Sequence, residues 1–390
     1  MKKIAILANK YPNKYEPTTN MFIQQLSWQF SDMGLETIVI CPMPINLNKN
    51  FIKLPYKEIT TNENGNDITV YRPKYLSMGQ SGNKFQKKRV LFTTKAYELA
   101  VDKVLKKMFE KPDYLYSYFL CPTSVAASRL GNKYCIPAFM EYGEALYMGN
   151  EKYGNEYLSK ELTGLKGVIA VSNQNKNYVV DSGIVKDEIT IVYPNCFREE
   201  RFHPIDMKIA RQHFGWNEND FIVGFAGSFD ERKGILRLQK AVDKLKGVKF
   251  ACAGQGELSP TSKNCIWAKP VLHENLSYFY SALNIFVLPT TAEGSCTATA
   301  EAIGCGCPII SSDRSFNESL CFDDNSIVID PLNIDEIAEA IKRVKDDPEL
   351  EESMRKGSIA HLDDLKQGKR MQHILEFMDS KAGGNEANEN

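Results

Sequence analysis

The sequence predicts an α/β protein of two Rossmann-like lobes, each a doubly wound parallel sheet. Three observations carry that expectation. Short apolar runs alternate with amphipathic stretches along most of the chain. The 390 residues exceed the size at which a single core stops growing. The alternation breaks once, at Tyr193-Pro194-Asn195, and polar residues then continue as far as Asp206. The expected division is therefore a first domain over 1–195 and a second over 196–365, with a helix near 366–380 packing back on the first. From 382 to 390 the chain is rich in Gly, Asn and Glu and is expected to be disordered.

In the first lobe the apolar runs of strand length are 4–8, 37–41, 114–118, 138–140, 168–171 and 189–192. Between the first two, 21–33 reads as a helix because Phe22, Leu26 and Phe30 recur every fourth residue. Gly34 follows as a terminator free to take positive φ. The second lobe repeats the rhythm at 221–226, 249–253, 266–268, 285–288, 308–311 and 327–329. A helix over 334–344 follows, with Ile337, Ala340, Ile341 and Val344 on one stripe.

Composition excludes several classes. A hydrophobic fraction of 43% with 25% charged residues is that of an ordinary globular protein, and a net charge of −1 gives no global attraction to nucleic acid. The apolar run after Met1-Lys2-Lys3 is too short for a signal segment, and no stretch is long enough to cross a bilayer. A cytoplasmic location with reduced thiols is therefore expected. The ten cysteines are scattered, and Cys305 and Cys307 read as small core residues; with only five histidines, no metal is expected.

The chemistry concentrates in Leu288-Pro289-Thr290-Thr291-Ala292-Glu293-Gly294-Ser295-Cys296-Thr297-Ala298-Thr299-Ala300-Glu301. A strand ends at Leu288, a loop follows, and Ser295 is placed to cap a helix reaching Ile303. Ligands of open α/β sheets bind at the carboxyl ends of strands, and a helix start there suits a diphosphate. Glu301 lies six residues past Ser295, roughly 9 Å along a helix axis. That spacing lets Glu293 accept hydroxyls of a sugar while Glu301 accepts those of a ribose. Taken as a pair alone, the two carboxylates read equally well as solvated charges of a helix start.

Upstream, Val223-Gly224-Phe225-Ala226-Gly227-Ser228-Phe229-Asp230-Glu231-Arg232-Lys233-Gly234 is a second strand-to-loop element. Gly227 permits backbone approach and Lys233 can reach an anionic leaving group. Arg232 reads equally as a second such cation or as a surface charge. Gly254 and Gly256 end the next strand, where a tight turn explains them as well as a ligand does.

Together these segments resemble the family 4 retaining glycosyltransferases, and the resemblance extends over nearly the whole chain, including Asn325-Ser326-Ile327-Val328-Ile329-Asp330-Pro331. It implies the GT-B architecture, two Rossmann-like domains facing across a cleft. It also implies a donor signature of Glu293, Glu301 and Lys233, with Gly227, Ser228, Arg232, Gly254, Gly256, Gly294 and Ser295 around the nucleotide sugar. Catalysis falls to Lys233 and Glu293, without a metal; no Asp-x-Asp occurs in the chain. Three positions depart from the family pattern. Ser228 stands where many members have a diphosphate-binding arginine. Pro17-Thr18-Thr19-Asn20-Met21 replaces a glycine-rich loop, leaving Asn20 as a sugar or acceptor contact. Tyr142 occupies the place of a histidine near the donor sugar. These departures are consistent with a subgroup making the same contacts differently, or with reduced activity.

The resemblance further implies an acceptor that is a glycan or lipid-linked hydroxyl, as in surface polysaccharide synthesis. Nine Lys or Arg face three acids between Lys84 and Lys111, where Tyr97, Val101, Val104, Leu105 and Met108 form an apolar stripe. This reads either as a solvated outer helix or as a surface for peripheral contact with anionic membrane. Arg72 and Arg314 are further cleft candidates.

Three rival classes fit the residues less well. A nicotinamide oxidoreductase lacks its Gly-x-Gly-x-x-Gly, since residues 7–12 contain no glycine. A GT-B sugar epimerase is disfavoured by the scarcity of histidine. A non-catalytic partner that binds the donor without transferring it is favoured only by Ser228 and Tyr142.

Overall fold

The computed structural model describes residues 1–79, 86–146 and 152–383. The chain forms two compact units, one of Met1–Val171, Asn175–Tyr193 and the chain from Met371, the other of Ser172–Gln174 and Pro194–Arg370. Residues 384–390, most of the expected disordered tail, lie outside the described residues; Ala382 itself closes the last helix, Gln367–Ala382.

The first unit is built on an eight-stranded sheet. Lys3–Leu7 is central, flanked in parallel by Glu36–Ile40 and Tyr114–Tyr118. Ala138–Tyr142, Leu165–Ala170 and Thr190–Val192 continue one side, and Asp67–Tyr71 continues the other. Lys57–Thr61 closes that edge and runs antiparallel to Asp67–Tyr71. The sequence pattern does not reveal this hairpin because its outer strand has no apolar run: Ile59 is exposed and its neighbours are polar. Its turn is held by Asn62, whose Oδ1 accepts the N–H groups of Asn64 and Asn66, each at 2.9 Å.

The helix Met21–Asp32 covers the sheet with Ile23, Leu26 and Phe30. Phe22 is not on that stripe, as the fourfold spacing suggested; it stands exposed, its ring 4.9 Å from that of Tyr118. Helical phase decides this, because Ile23, Leu26 and Phe30 share a face that position 22 leaves by one step. Gly34, at φ 84°, ends the helix, and the N–H of Leu35 returns to the carbonyl of Phe30.

The last helix belongs to the first unit from Met371 onward. Met371, Ile374 and Met378 sit in the same core as Ile4, Ile6 and Tyr116. Tyr114 donates to Asp379, which also pairs with Lys2 at 2.7 Å.

The second unit carries six parallel strands in the order Cys265–Lys269, Val248–Ala253, Phe221–Ala226, Ile285–Leu288, Ile309–Ser312 and Ser326–Ile329. The chain winds outward in both directions from the centre, so order reverses between Phe221–Ala226 and Ile285–Leu288. This is the topological switch point, where the loops at the strand ends part and leave a crevice. Those two loops are 227–234 and 289–296, the segments singled out from sequence.

Candidate functional site

Glu293 is the centre of the site. Its side chain is buried, and Oε1 accepts from Arg232 Nη1 at 2.6 Å, Lys233 Nζ at 2.6 Å and Thr290 Oγ1 at 2.9 Å. One carboxylate thus holds two cations. Arg232 is not a detached surface charge: its Nη1 also donates to the carbonyl of Ala292 at 2.6 Å. Its own carbonyl accepts the N–H of Thr291 at 2.9 Å. The two loops of the switch point are therefore tied together by both backbone and side chain.

The lysine is aimed by the backbone beneath it. Asp230 accepts the Lys233 N–H at 2.8 Å and the Ser228 hydroxyl at 2.6 Å. Burial pushes the Asp230 carboxyl up, but those two hydrogen bonds and the charges of Arg232 and Lys233 outweigh it, so it sits below its usual range. Gly227 has φ 147°, conformational ground that favours glycine, and the Lys233 methylenes pass 3.5 Å from where a Cβ would stand. Ser228 is exposed and engaged with Asp230.

Gly254 and Gly256 support the loop of Gly227 from below. A Cβ on Gly254 would lie 1.9 Å from the Gly227 carbonyl oxygen, and one on Gly256 would lie 2.4 Å from that of Phe229. The absent side chains let two backbone bonds form, Gly227 N–H to Ala253 O at 3.0 Å and Phe229 N–H to Gln255 O at 2.9 Å.

Arg237 escapes notice in the sequence, where it looks like one charge on an amphipathic helix. It is buried, and it donates to the carbonyls of Pro331 at 2.8 Å, Glu231 at 2.8 Å and Pro289 at 3.0 Å, joining three strand-end loops. Arg237→Met strands those carbonyls, so urea unfolding is expected to show a loss of about 3 kcal/mol. Asn317, also buried, donates to Ser311 Oγ and Ser312 O, and Ser312 Oγ donates to the carbonyl of Thr290.

The helix after Glu293 runs from Thr297 to Gly304. Its N-cap is Cys296, not Ser295. Ser295 Oγ is used elsewhere, accepting the Asn195 N–H at 3.1 Å, while Asn195 Nδ2 donates to Thr297 Oγ1 at 3.2 Å. The buried Gly294-Ser295-Cys296 segment therefore precedes a helix start without a side-chain cap, where the Thr297 N–H donates back to the Ser295 carbonyl at 3.0 Å. Glu301 lies on the first turn and a half, its carboxylate accepting from Tyr280 Oη at 2.9 Å. Burial, only partly offset by that hydrogen bond, pushes the Glu301 carboxyl up to about 7.

The remaining expected contacts lie in the first unit. Tyr142 is fully buried, its ring 6.0 Å from that of Tyr178, so this ring serves packing rather than a sugar. Asn20 precedes the helix Met21–Asp32 in left-handed backbone, and its Nδ2 donates to Asn9 Oδ1 at 3.2 Å. Arg72 is not a cleft cation; it is buried, paired with Glu58 and bonded to the Pro12 carbonyl at 2.9 Å. In the second unit, Arg314 pairs with Asp313 and with Asp330. Among the described residues, no group of three or more His, Cys, Asp or Glu is arranged to hold a metal ion.

Residues 206–361 match the model of the glycosyl transferases group 1 family. The match lies within the second unit and is a similarity to that family. The matched stretch spans both switch-point loops and the Glu293–Glu301 segment. A teichuronic acid biosynthesis glycosyltransferase of Bacillus subtilis (strain 168) is 23% identical over 95% of this chain and 97% of its own length. Among solved structures, a sucrose-phosphate synthase from Thermosynechococcus elongatus superposes with a TM-score of 0.74 at 16% identity, covering 98% of this chain and all of that one. Anabaena HepE in complex with UDP superposes with a TM-score of 0.72, also at 16% identity, covering 97% of this chain and all of that one. These likenesses establish the GT-B fold.

Proposed function

We propose that the chain is a retaining glycosyltransferase moving a sugar from a nucleoside-diphosphate sugar to a hydroxyl of a glycan or lipid-linked acceptor, in synthesis of a surface polysaccharide. The observation that carries this is the pairing of Arg232 and Lys233 on one buried carboxylate, at the switch point of the unit similar to the group 1 glycosyl transferases. UDP bound by the similarly folded HepE supports the donor class, and the teichuronic acid relative supports the polysaccharide context.

The donor diphosphate lies against Arg232, Lys233 and the N–H groups about Gly294 and Ser295, with Gly227 giving it room. Glu293 accepts sugar hydroxyls and Glu301 accepts the ribose hydroxyls, while Gly254 and Gly256 shape the loop beneath. As the bond from the anomeric carbon to the phosphate oxygen breaks, an oxocarbenium-like sugar forms and charge grows on the leaving phosphate. Lys233 and Arg232 stabilise that charge in place of a metal. The acceptor oxygen attacks from the face the phosphate leaves, and its proton passes to the departing phosphate, so no side-chain base is required. Ser228 holds Asp230, and Arg232 supplies the guanidinium that position 228 lacks. The protein acts in the cytoplasm, in peripheral contact with the anionic inner face of the membrane. No helix among the described residues is long and apolar enough to cross it.

Incubation with UDP-, GDP- and ADP-sugars and a polysaccharide-precursor acceptor, followed by anomeric analysis of the product, tests the reading. Transfer with retention supports it; saturable donor binding without transfer would favour the non-catalytic partner, and an altered sugar epimer would favour an epimerase.

The Glu301 carboxyl gives a second test. Because it titrates at about 7 in the folded chain against an ordinary 4.5, its burial costs stability progressively as pH rises through about 7. A ribose hydroxyl bond favours the ionised form, so donor affinity is expected to rise with pH across the same window. Both phosphates of a nucleotide sugar are disubstituted and stay ionised across that window. Glu301→Gln removes the carboxyl's share, so its affinity is expected to rise less steeply, as read by calorimetry; parallel pH profiles would remove the ribose contact.

A further inference from the structure

Nine of the nineteen exposed large apolar side chains among the described residues fall between Leu47 and Phe109. That stretch is less than a fifth of the chain, so the clustering is not the scatter of apolar groups any surface shows. The helix Gln86–Lys107 is its spine. Its inner stripe of Val90, Tyr97, Val101, Val104 and Leu105 is buried in the first unit. Its outer face is composed of two residue types. Lys87, Lys88, Lys95, Lys103, Lys106 and Lys107 are exposed, and between them stand Phe92 and Leu99, each about half exposed.

The acids of this helix are paired with Lys95 of that face and with Arg129 and Lys133 from the neighbouring helix. Glu98 is buried and holds Arg129 at 2.6 Å as well as Lys95. Asp102 is turned to Lys133 at 2.6 Å and Tyr134 at 2.7 Å. The helix is followed by Phe109, fully exposed.

Neighbouring segments extend the same surface. Arg89 donates to the Met78 carbonyl at 2.7 and 2.9 Å, and the Met78 N–H donates to Thr93 Oγ1 at 3.1 Å. This holds the exposed Leu76 and Met78 beside the first half of the helix. At the other end, Lys107 Nζ lies 5.9 Å from the ring of the exposed Tyr56. Lys74 Nζ joins the two flanks by donating to the carbonyls of Phe51 and Leu54 at 2.7 and 2.8 Å.

We infer that this face, with Phe92, Leu99 and Phe109 as inserting side chains and Lys88, Lys103, Lys106 and Lys107 as headgroup contacts, docks the first unit on an anionic lipid bilayer. The inference deepens the membrane contact in the proposed function and rests on it. Lysine alone would suit any polyanion. Exposed aromatic and aliphatic side chains set among the lysines suit one that offers hydrocarbon just beneath its charge. The surface fits a bilayer interface, where lysines reach headgroups and the rings sit below them.

The test is sedimentation of the full chain with vesicles of phosphatidylcholine alone, or with about one third phosphatidylglycerol. The wild type is expected to partition at least tenfold more strongly to the anionic vesicles. K88Q/K103Q/K106Q/K107Q is expected to lose that preference, since each lysine near such a surface is worth about fivefold. F92S/L99S is expected to weaken partitioning at least tenfold at equal charge. Donor-nucleotide affinity and thermal unfolding, measured on the same samples, are expected to match the wild type in both variants. Equal partitioning of the wild type to both vesicles, or full anionic partitioning by F92S/L99S, would overturn the inference. So would a soluble polyphosphate that binds as tightly as the vesicles and depends on the lysines but not on Phe92 and Leu99. A failed donor titration with intact vesicle binding would instead count against the transferase reading alone.

Discussion

Lys233→Ala is expected to lower the turnover of sugar transfer about a hundredfold, the scale on which removing one preorganised charge from a developing anion is felt. The expectation follows from where the ammonium is held. Its chain lies across Gly227, its backbone N–H is fixed by Asp230, and Nζ rests on Glu293 at 2.6 Å. A cation so placed needs little reorganisation when the leaving phosphate gains charge. Lys233→Arg should recover only part of the loss, because a planar fork cannot reproduce a point charge on that carboxylate. Donor affinity should fall less than turnover, since Arg232 remains on the same oxygen. Steady-state kinetics with donor in excess check this; a change of less than threefold would remove Lys233 from the mechanism.

Gly254→Ala has the second large effect, and it acts without touching the donor. The added methyl would stand 1.9 Å from the Gly227 carbonyl oxygen and 3.0 Å from both the Gly227 carbonyl carbon and the Phe229 ring. The first of those atoms is backbone, so relief requires the loop 227–229 to move as a whole. That motion breaks the bonds from Gly227 to Ala253 and from Phe229 to Gln255, and it carries Ser228 and the lysine platform away from Glu293. Urea unfolding should show about 2 kcal/mol of lost stability, in line with other overpacked sites. Donor affinity should fall more than tenfold in samples that remain folded by circular dichroism. Wild-type affinity in Gly254→Ala would mean that the Gly227 loop takes no part in donor binding.

The fold was largely legible because buried parallel strands are continuous apolar runs. Phe221–Ala226, Ile285–Leu288 and Tyr114–Tyr118 can be read from such runs to the residue. Lys57–Thr61 was not, since an edge strand facing water carries no such run. The switch-point loops were legible because Lys233 and Glu293 follow strands and Glu301 lies on the helix after the second of these. What sequence hid was the partnership among them. Nothing in the order of residues shows that Arg232 and Lys233 share one carboxylate oxygen, or that Arg237 reaches three carbonyls from separate loops. Such contacts depend on helical phase and on which strands become neighbours. Tyr142 illustrates the converse. A motif position suggested a sugar contact, yet the side chain points into the core and stacks on Tyr178.

In the proposed function, the segment from Glu293 to Glu301 holds a nucleoside-diphosphate sugar. Calorimetric titration of the full chain with UDP, GDP, ADP and their sugars, repeated on Glu301→Ala, tests it most directly. Saturable binding of at least one nucleotide is expected, weakened at least tenfold by Glu301→Ala. Equal affinity in the two proteins, or no saturable binding of any nucleotide by the wild type, would contradict it.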